Sequence, residues 1–256
     1  MPLVEINGRR LCYRVRGEGR PAVLLLHGAG ASSLHFLELA NRLGRGRRVV
    51  ALDLPGHGRS PALTPLPRPE SLLGAYRDAA LALAERLGLG RYVVLGHSMG
   101  GAVALELALG HPERLAGLVL LSSAARLGLD PELGPRLGRP EAVTAWLAAR
   151  GYSPTASARQ VELWAARHVQ CGPALLRADF LACDAADLTA QLPEVKVPTL
   201  VVGGADDRIT PPELQERLAR AIPRARLELL ARTGHFAYWE RPEALAAVVS
   251  AASFSA

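Results

Sequence analysis

Gly96-His97-Ser98-Met99-Gly100-Gly101 constrains this chain more than any other stretch. Arg91-Tyr92-Val93-Val94-Leu95 before it has the β-branched, apolar make-up of a buried strand. Ala102-Val103-Ala104-Leu105-Glu106-Leu107-Ala108-Leu109 after it is rich in strong helix formers. A strand that passes straight into a helix through G-x-S-x-G puts its serine on a tight bend, hydroxyl clear of the sheet. Gly96 and Gly100 lack side chains, so the two arms of the bend can pass closely. The helix that follows points its unpaired N–H groups at the same place. Ser98 is therefore the candidate nucleophile.

A serine hydroxyl is a weak nucleophile until a base takes its proton, so Ser98 calls for a histidine and a carboxylate. In this strand–turn–helix setting they follow in the order Ser, Asp or Glu, His. Val197–Gly204 has the pattern of a buried strand running into a glycine turn, and Asp206-Asp207 come directly after it. Arg226-Leu227-Glu228-Leu229-Leu230 is a further strand, and His235 lies just past it, after Gly234. All three candidates thus fall beyond the C-terminal ends of strands, where open α/β sheets hold their ligands.

The rest of the chain fits that placement. Val4–Val15 has the pattern of a hairpin turning at Asn7-Gly8. Ala22–Leu26, Arg48–Leu52 and Ala116–Leu121 are buried-strand candidates, with helices expected over 34–43 and 70–87. This alternation predicts an α/β fold, a mostly parallel sheet covered by helices on both faces. It stops at Ser122 and resumes near Val195. Between them, helices are expected over 140–150, 157–169 and 173–189, separated by Gly and Pro. The expected organisation is a core of residues 1–122 and 191–256, with 123–190 inserted as a helical cap.

With these elements in place, the chain resembles the α/β-hydrolase superfamily, in particular its small capped, cytosolic-type, esterase-like members. Five motifs carry the resemblance in order: Leu26-His27-Gly28-Ala29-Gly30, Asp53-Leu54-Pro55-Gly56-His57-Gly58-Arg59-Ser60, the Ser98 bend, Gly204-Ala205-Asp206-Asp207 with Pro211, and Gly234-His235 with Glu240-Arg241-Pro242-Glu243. It implies Ser98, Asp207 and His235 as catalytic residues, with Asp206 a structural neighbour. Some relatives carry the acid one strand earlier, but Leu121-Ser122-Ser123 offers no carboxylate there. The oxyanion hole is expected from the backbone N–H groups of Met99 and Ala29, with Gly30 as the alternative to Ala29. The resemblance makes His27 an organiser of its loop, packs His97 beside the bend, and gives Asp53, His57 and Ser60 the shaping of a bordering loop. Gly28, His35, Trp146, Trp164, Phe180 and Trp239 are the candidate substrate contacts.

The expected reaction is hydrolysis of a small to medium carboxylic ester through an acyl-enzyme, without a cofactor. Hydrolysis of C–C bonds in diketones, lactone opening and perhydrolysis use the same machinery and stand as alternatives. A small-molecule sensor that kept the fold is the rival from outside catalysis. Epoxide hydrolases and haloalkane dehalogenases of this fold use an aspartate nucleophile, and Ser98 argues against both.

Composition narrows the other classes. The net charge is +6, but only Lys196 among the 30 basic residues is lysine, and the arginines are scattered. No nucleic-acid partner is expected. No apolar run approaches ~18 residues, so no membrane insertion is expected. The start enters a strand without a basic-then-apolar leader, and Cys12, Cys171 and Cys183 are expected as reduced thiols. Both point to a cytoplasmic location; a monomer or homodimer is expected. No metal-ligand spacing occurs, and Gly28-x-Gly30 lacks the third glycine of a dinucleotide-binding loop.

Overall fold

Five strands in the middle of the chain are buried at every position, which requires cover on both faces of the sheet they form. In chain order the elements are β1 (Leu3–Ile6), β2 (Arg9–Arg16), β3 (Ala22–Leu26), α1 (Leu37–Leu43), β4 (Val49–Asp53), α2 (Pro69–Arg86), β5 (Tyr92–His97), α3 (Met99–Gly110) and β6 (Leu115–Leu121). After these come α4 (Pro140–Gly151), α5 (Ala158–Ala165), α6 (Pro173–Ala185), β7 (Thr199–Gly204), α7 (Pro212–Ala221), β8 (Ala225–Leu230), α8 (Ala237–Glu240) and α9 (Pro242–Ala251). The structure is a computed structural model that describes residues 2–6 and 8–254, without the side chain of Arg9. Asn7 of the expected hairpin turn lies outside the described residues; Gly8 has φ +74°.

The strands form one eight-stranded sheet in the order β1-β2-β4-β3-β5-β6-β7-β8. The pairings of β1 with β2 and β2 with β4 are antiparallel, and the others are parallel. Side chains alternate across each strand. Leu24, Leu26, Val94, Leu118 and Leu120 therefore join α2 and α3 on one face. Val23, Leu25, Val93, Leu95, Val119 and Leu121 join α1 and α9 on the other. The parallel register carries the ends of β5, β6, β7 and β8 to the same edge, which is where the candidate residues emerge.

Between β6 and β7 the described residues form helices and short 3-10 turns but no strand. Two helices there are shorter than the sequence suggests. α5 stops at Ala165, and His168 lies in the turn beyond it, its ring stacked 4.3 Å from Trp164. α6 stops at Ala185, where Ala186 turns extended. Helix-forming residues continue past both ends, so tertiary packing, not propensity, sets these limits. No helix among the described residues is long and apolar enough to cross a membrane. Cys12 and Cys183 are buried, Cys171 is half-buried, and all three are free thiols.

Candidate active site

Ser98 joins β5 to α3 with φ 52° and ψ −117°, a region that costs a non-glycine residue about 1–3 kcal/mol. The backbone around it holds that shape. Ser98 N–H donates to the Leu121 carbonyl at 3.0 Å, and the Ser98 carbonyl accepts from Gly101 N–H and the Ser123 hydroxyl at 2.8 Å each. A Cβ on Gly96 would lie 2.0 Å from the Gly100 oxygen, and one on Gly100 would lie 2.2 Å from the Leu26 oxygen. The two glycines are thus required by close backbone contact.

Past β7, Asp207 is buried and its carboxylate is fully engaged. Oδ1 accepts from the N–H groups of Ile209 and Thr210 at 2.9 Å each; Oδ2 accepts from the Thr210 hydroxyl at 2.8 Å and from His235 Nδ1 at 2.9 Å. Burial pushes this carboxyl up, but His235 beside it and these hydrogen bonds outweigh burial and hold it below its ordinary value. An ionised carboxylate only accepts, so Nδ1 of His235 carries a proton, the tautomer that in the neutral imidazole puts the lone pair on Nε2. The paired carboxylate is Asp207; Asp206 instead accepts from the Ser153 hydroxyl at 2.6 Å.

The loop carrying His235 is pinned from several sides. His235 N–H donates to the Gly151 carbonyl at 2.6 Å, and its carbonyl accepts from His97 Nε2 at 3.0 Å. Glu240 accepts from Gly234 N–H at 2.9 Å and from Ser153 N–H at 3.0 Å. Burial holds His97 well below its ordinary pKa, so it is a neutral donor beside the bend, as expected of it.

His27 organises the loop after β3. Its Nδ1 donates to the Gly28 carbonyl at 2.9 Å, and its Nε2 accepts from Leu54 N–H at 3.0 Å. Ala31 N–H also donates to the Gly28 carbonyl, at 3.2 Å. In a trans peptide C=O and N–H point opposite ways, so fixing the Gly28 carbonyl aims the N–H of Ala29. Asp53 braces this loop, accepting from Ser33 N–H at 2.8 Å and Arg59 N–H at 3.1 Å, while the Ser60 hydroxyl donates to the Asp53 carbonyl at 2.6 Å. Met99 is the first residue of α3, so its N–H has no acceptor within the helix. Gly30 departs from the alternative role: its N–H is taken by Asp179 Oδ2 at 3.0 Å and is not free for an oxyanion.

A cavity of about 310 Å³ opens beside Ser98. Ala29, Leu127, Leu129, Leu133, Trp146, Phe180 and Ile209 give it apolar walls, with Thr210, Asp130 and Arg208 adding polar groups. Of the candidate substrate contacts, Trp146 and Phe180 line this cavity. Trp164 does not: it is fully buried against Tyr152, Phe236 and His168. His35 is not among the lining residues either; it is buried, with its Nδ1 in the Ser32 turn. Nor is Trp239, whose indole N–H donates to the Gln160 carbonyl at 3.0 Å. Gly28 sits against the bend, where a Cβ would lie 3.3 Å from Ser98 Cβ.

Thr210, Ser153 and Asp179 escape the sequence reading. Asp179 had a signal: it shares the buried face of α6 with Leu175, Leu176, Ala182 and Cys183, where a carboxylate is out of place without partners. A ring nitrogen of His57, Cys171 Sγ and a carboxylate oxygen of Asp179 lie within 4.8 Å of one another. Their donor and acceptor pattern is that of an ion pair. His57 donates from Nδ1 to the Pro55 carbonyl at 3.2 Å and from Nε2 to Asp179 at 2.8 Å, which requires an imidazolium.

Residues 23–248 match the family model described as alpha/beta hydrolase family. The chain is 32% identical to a pimeloyl-[acyl-carrier protein] methyl ester esterase from Neisseria meningitidis, covering 88% of this chain and 74% of that one. It is 30% identical to a 2-hydroxy-6-oxononadienedioate/2-hydroxy-6-oxononatrienedioate hydrolase from Burkholderia vietnamiensis, covering 91% and 87%. The enol-lactonase from Burkholderia xenovorans superimposes with a TM-score of 0.87 at 29% identity, over 97% of this chain and 98% of that one.

Proposed function

The chain belongs to the alpha/beta hydrolase family and is a hydrolase, and from that premise we propose that it cleaves small to medium carboxylic esters through Ser98, His235 and Asp207. The observation that carries this reading is the 2.9 Å bond from His235 Nδ1 to a buried, ionised Asp207, on the same sheet edge as a serine held at positive φ. It leaves His235 Nε2 as the base.

In the proposed reaction His235 takes the Ser98 proton as Oγ attacks the ester carbonyl. The N–H groups of Ala29 and Met99 stabilise the oxyanion. His235 then protonates the departing alcohol, leaving Ser98 acylated. Water, deprotonated by His235, attacks the acyl-enzyme, and collapse returns the acid and the free serine. No cofactor enters this scheme. Residues 123–190 act as a cap, and Trp146 and Phe180 on it set the size of the acyl group. A volume of about 310 Å³ is at the small end for ligand pockets, which favours short chains.

The methyl ester esterase above supports ester cleavage. The dioate hydrolase and the enol-lactonase are relatives named for other substrates, so the test compares substrate classes. A fluorophosphonate is expected to label Ser98. Wild type is expected to turn over p-nitrophenyl acetate and butyrate faster than lactones or diketones, and Ser98→Ala to lose about 10³-fold or more. An adduct on Ser32, Ser33 or Ser122 refutes the nucleophile, and faster turnover of a lactone or diketone refutes the ester.

A further inference from the structure

Asp179 lies on α6, within residues 123–190, and is fully buried. A carboxylate without water persists only where donors surround it. Asp179 has three, each from a different segment of the core. The Tyr76 hydroxyl of α2 donates to Oδ1 at 2.7 Å. His57 Nε2, from the loop after β4, donates to Oδ2 at 2.8 Å, and Gly30 N–H, from the loop after β3, donates to Oδ2 at 3.0 Å.

The bond to Gly30 bears on the chemistry. Gly30 follows Ala29 and has φ +68°, so this loop is bent where a side chain would be strained. Both backbone polar groups of Gly30 are held from residues 123–190: its N–H by Asp179, and its carbonyl by Gln170 N–H at 2.8 Å. The Gln170 carbonyl in turn accepts from Gly58 N–H at 2.8 Å, which ties in the loop of His57. The peptide plane before Ala29 is set by His27 through the Gly28 carbonyl, and the plane after it is set by Asp179 through Gly30 N–H. The Ala29 N–H lies in the first plane, and anchoring the second keeps Ala29 from turning about its own backbone dihedrals and carrying the first plane with it.

We propose that Asp179 is a positioning residue for ester hydrolysis: from the cap, it locks the oxyanion loop through Gly30 N–H and so aims the Ala29 N–H at the developing oxyanion. This rests on the reading of Ser98 and Ala29 given above. Such a residue acts on the transition state and leaves ground-state binding alone.

The test uses Asp179→Ala and Asp179→Leu, which remove the acceptor; the leucine fills the space if the alanine variant does not fold. Asp179→Asn keeps an acceptor oxygen. Active sites are counted by fluorophosphonate labelling, so that loss of folded protein is separated from loss of rate per site. With p-nitrophenyl acetate, kcat per labelled site is expected to fall about 10- to 100-fold in the alanine and leucine variants, below the full loss of an oxyanion donor. KM is expected to stay within about twofold, and the inhibition constant of a trifluoromethyl ketone, which forms a tetrahedral adduct, to rise by the factor that kcat/KM falls. Asp179→Asn is expected to lose no more than about fivefold, since Gly30 N–H keeps its acceptor.

A wild-type kcat per labelled site in either apolar variant overturns the proposal. So does an inhibition constant that does not move, or an Asp179→Asn enzyme of unchanged thermal stability that loses more than fivefold. If wild-type turnover survives Ser98→Ala, the reading of the active site itself has failed, and that result is distinct from all of these.

Discussion

Ser153 donates its hydroxyl to Asp206 across 2.6 Å, and this separates two adjacent carboxylates that are chemically alike. Asp206 is held from the segment between β6 and β7, while Asp207 faces His235. Asp207→Asn is therefore expected to lower kcat about 10⁴-fold, because an amide can hold the wrong tautomer of the imidazole. Asp206→Asn is expected to change kcat little, since the Asp206 carboxylate accepts from Ser153 and not from His235. Steady-state kinetics on both variants check this, and the reverse ranking moves the acid by one residue.

Stability is expected to fall on both sides of neutrality. Burial holds His27, His97 and His168 well below their ordinary pKa values and His35 at about 4. The unfolded chain protonates these groups below about pH 6.5 and the folded chain does not, so their contribution, present above 6.5, is lost as pH falls. The limiting slope is about 1.4 kcal/mol per pH unit for each such histidine. His57 behaves oppositely: burial would lower it, but Asp179 outweighs burial and pushes it up to about 10. Its contribution is complete below about pH 6.5 and is lost as pH rises through 10. Thermal melts from pH 4.5 to 10.5 measure both limbs. A flat acid limb, or an alkaline limb unchanged in His57→Gln, contradicts the assignment.

Trp146 and Trp164 are expected to respond differently to truncation. Trp146→Ala and Phe180→Ala alter the cavity wall and are expected to shift the ratio of long- to short-chain ester kcat/KM, each methylene being worth about 1–3 kcal/mol. Trp164→Ala leaves a void against Tyr152 and Phe236 and is expected to cost about 3–5 kcal/mol of stability with the chain-length profile intact. A profile altered by Trp164→Ala, or unaltered by both of the other variants, contradicts the division.

Gly100→Ala is expected to abolish turnover, because its Cβ would lie 2.2 Å from the Leu26 oxygen and push the Ser98 bend off strand β3. Gly110→Ala, with open space around it, serves as the control. Equal fluorophosphonate labelling rates in the two variants would contradict this account of the bend.

The sequence disclosed the sheet and the positions of Ser98, the Asp206-Asp207 pair and His235 because those depend on local patterns: apolar strands, a glycine-flanked bend, polar residues just past strand ends; the choice of Asp207 within the pair came from the family resemblance. Trp164 stood out as a large apolar side chain, but no local pattern distinguishes a wall of the cavity from the packing behind it. Asp179 was hidden for a related reason. Its three donors come from Gly30, His57 and Tyr76, at least 103 positions away in sequence, and only the folded chain brings them to one carboxylate.

A segment inserted between two strands looks like an exchangeable part, since it leaves the sheet order untouched. Here the boundary between the pieces runs through the working parts. The segment between β6 and β7 holds Gly30 through Asp179 and Gln170 on one side, and on the other supplies the Gly151 carbonyl to His235 N–H and the Ala149 carbonyl to Arg208. A chimera that replaced the segment between β6 and β7 with a foreign one would inherit loops shaped by the segment it lost. Recombination in such a protein has to move Asp179 with Gly30, His57 and Tyr76, as one inherited set.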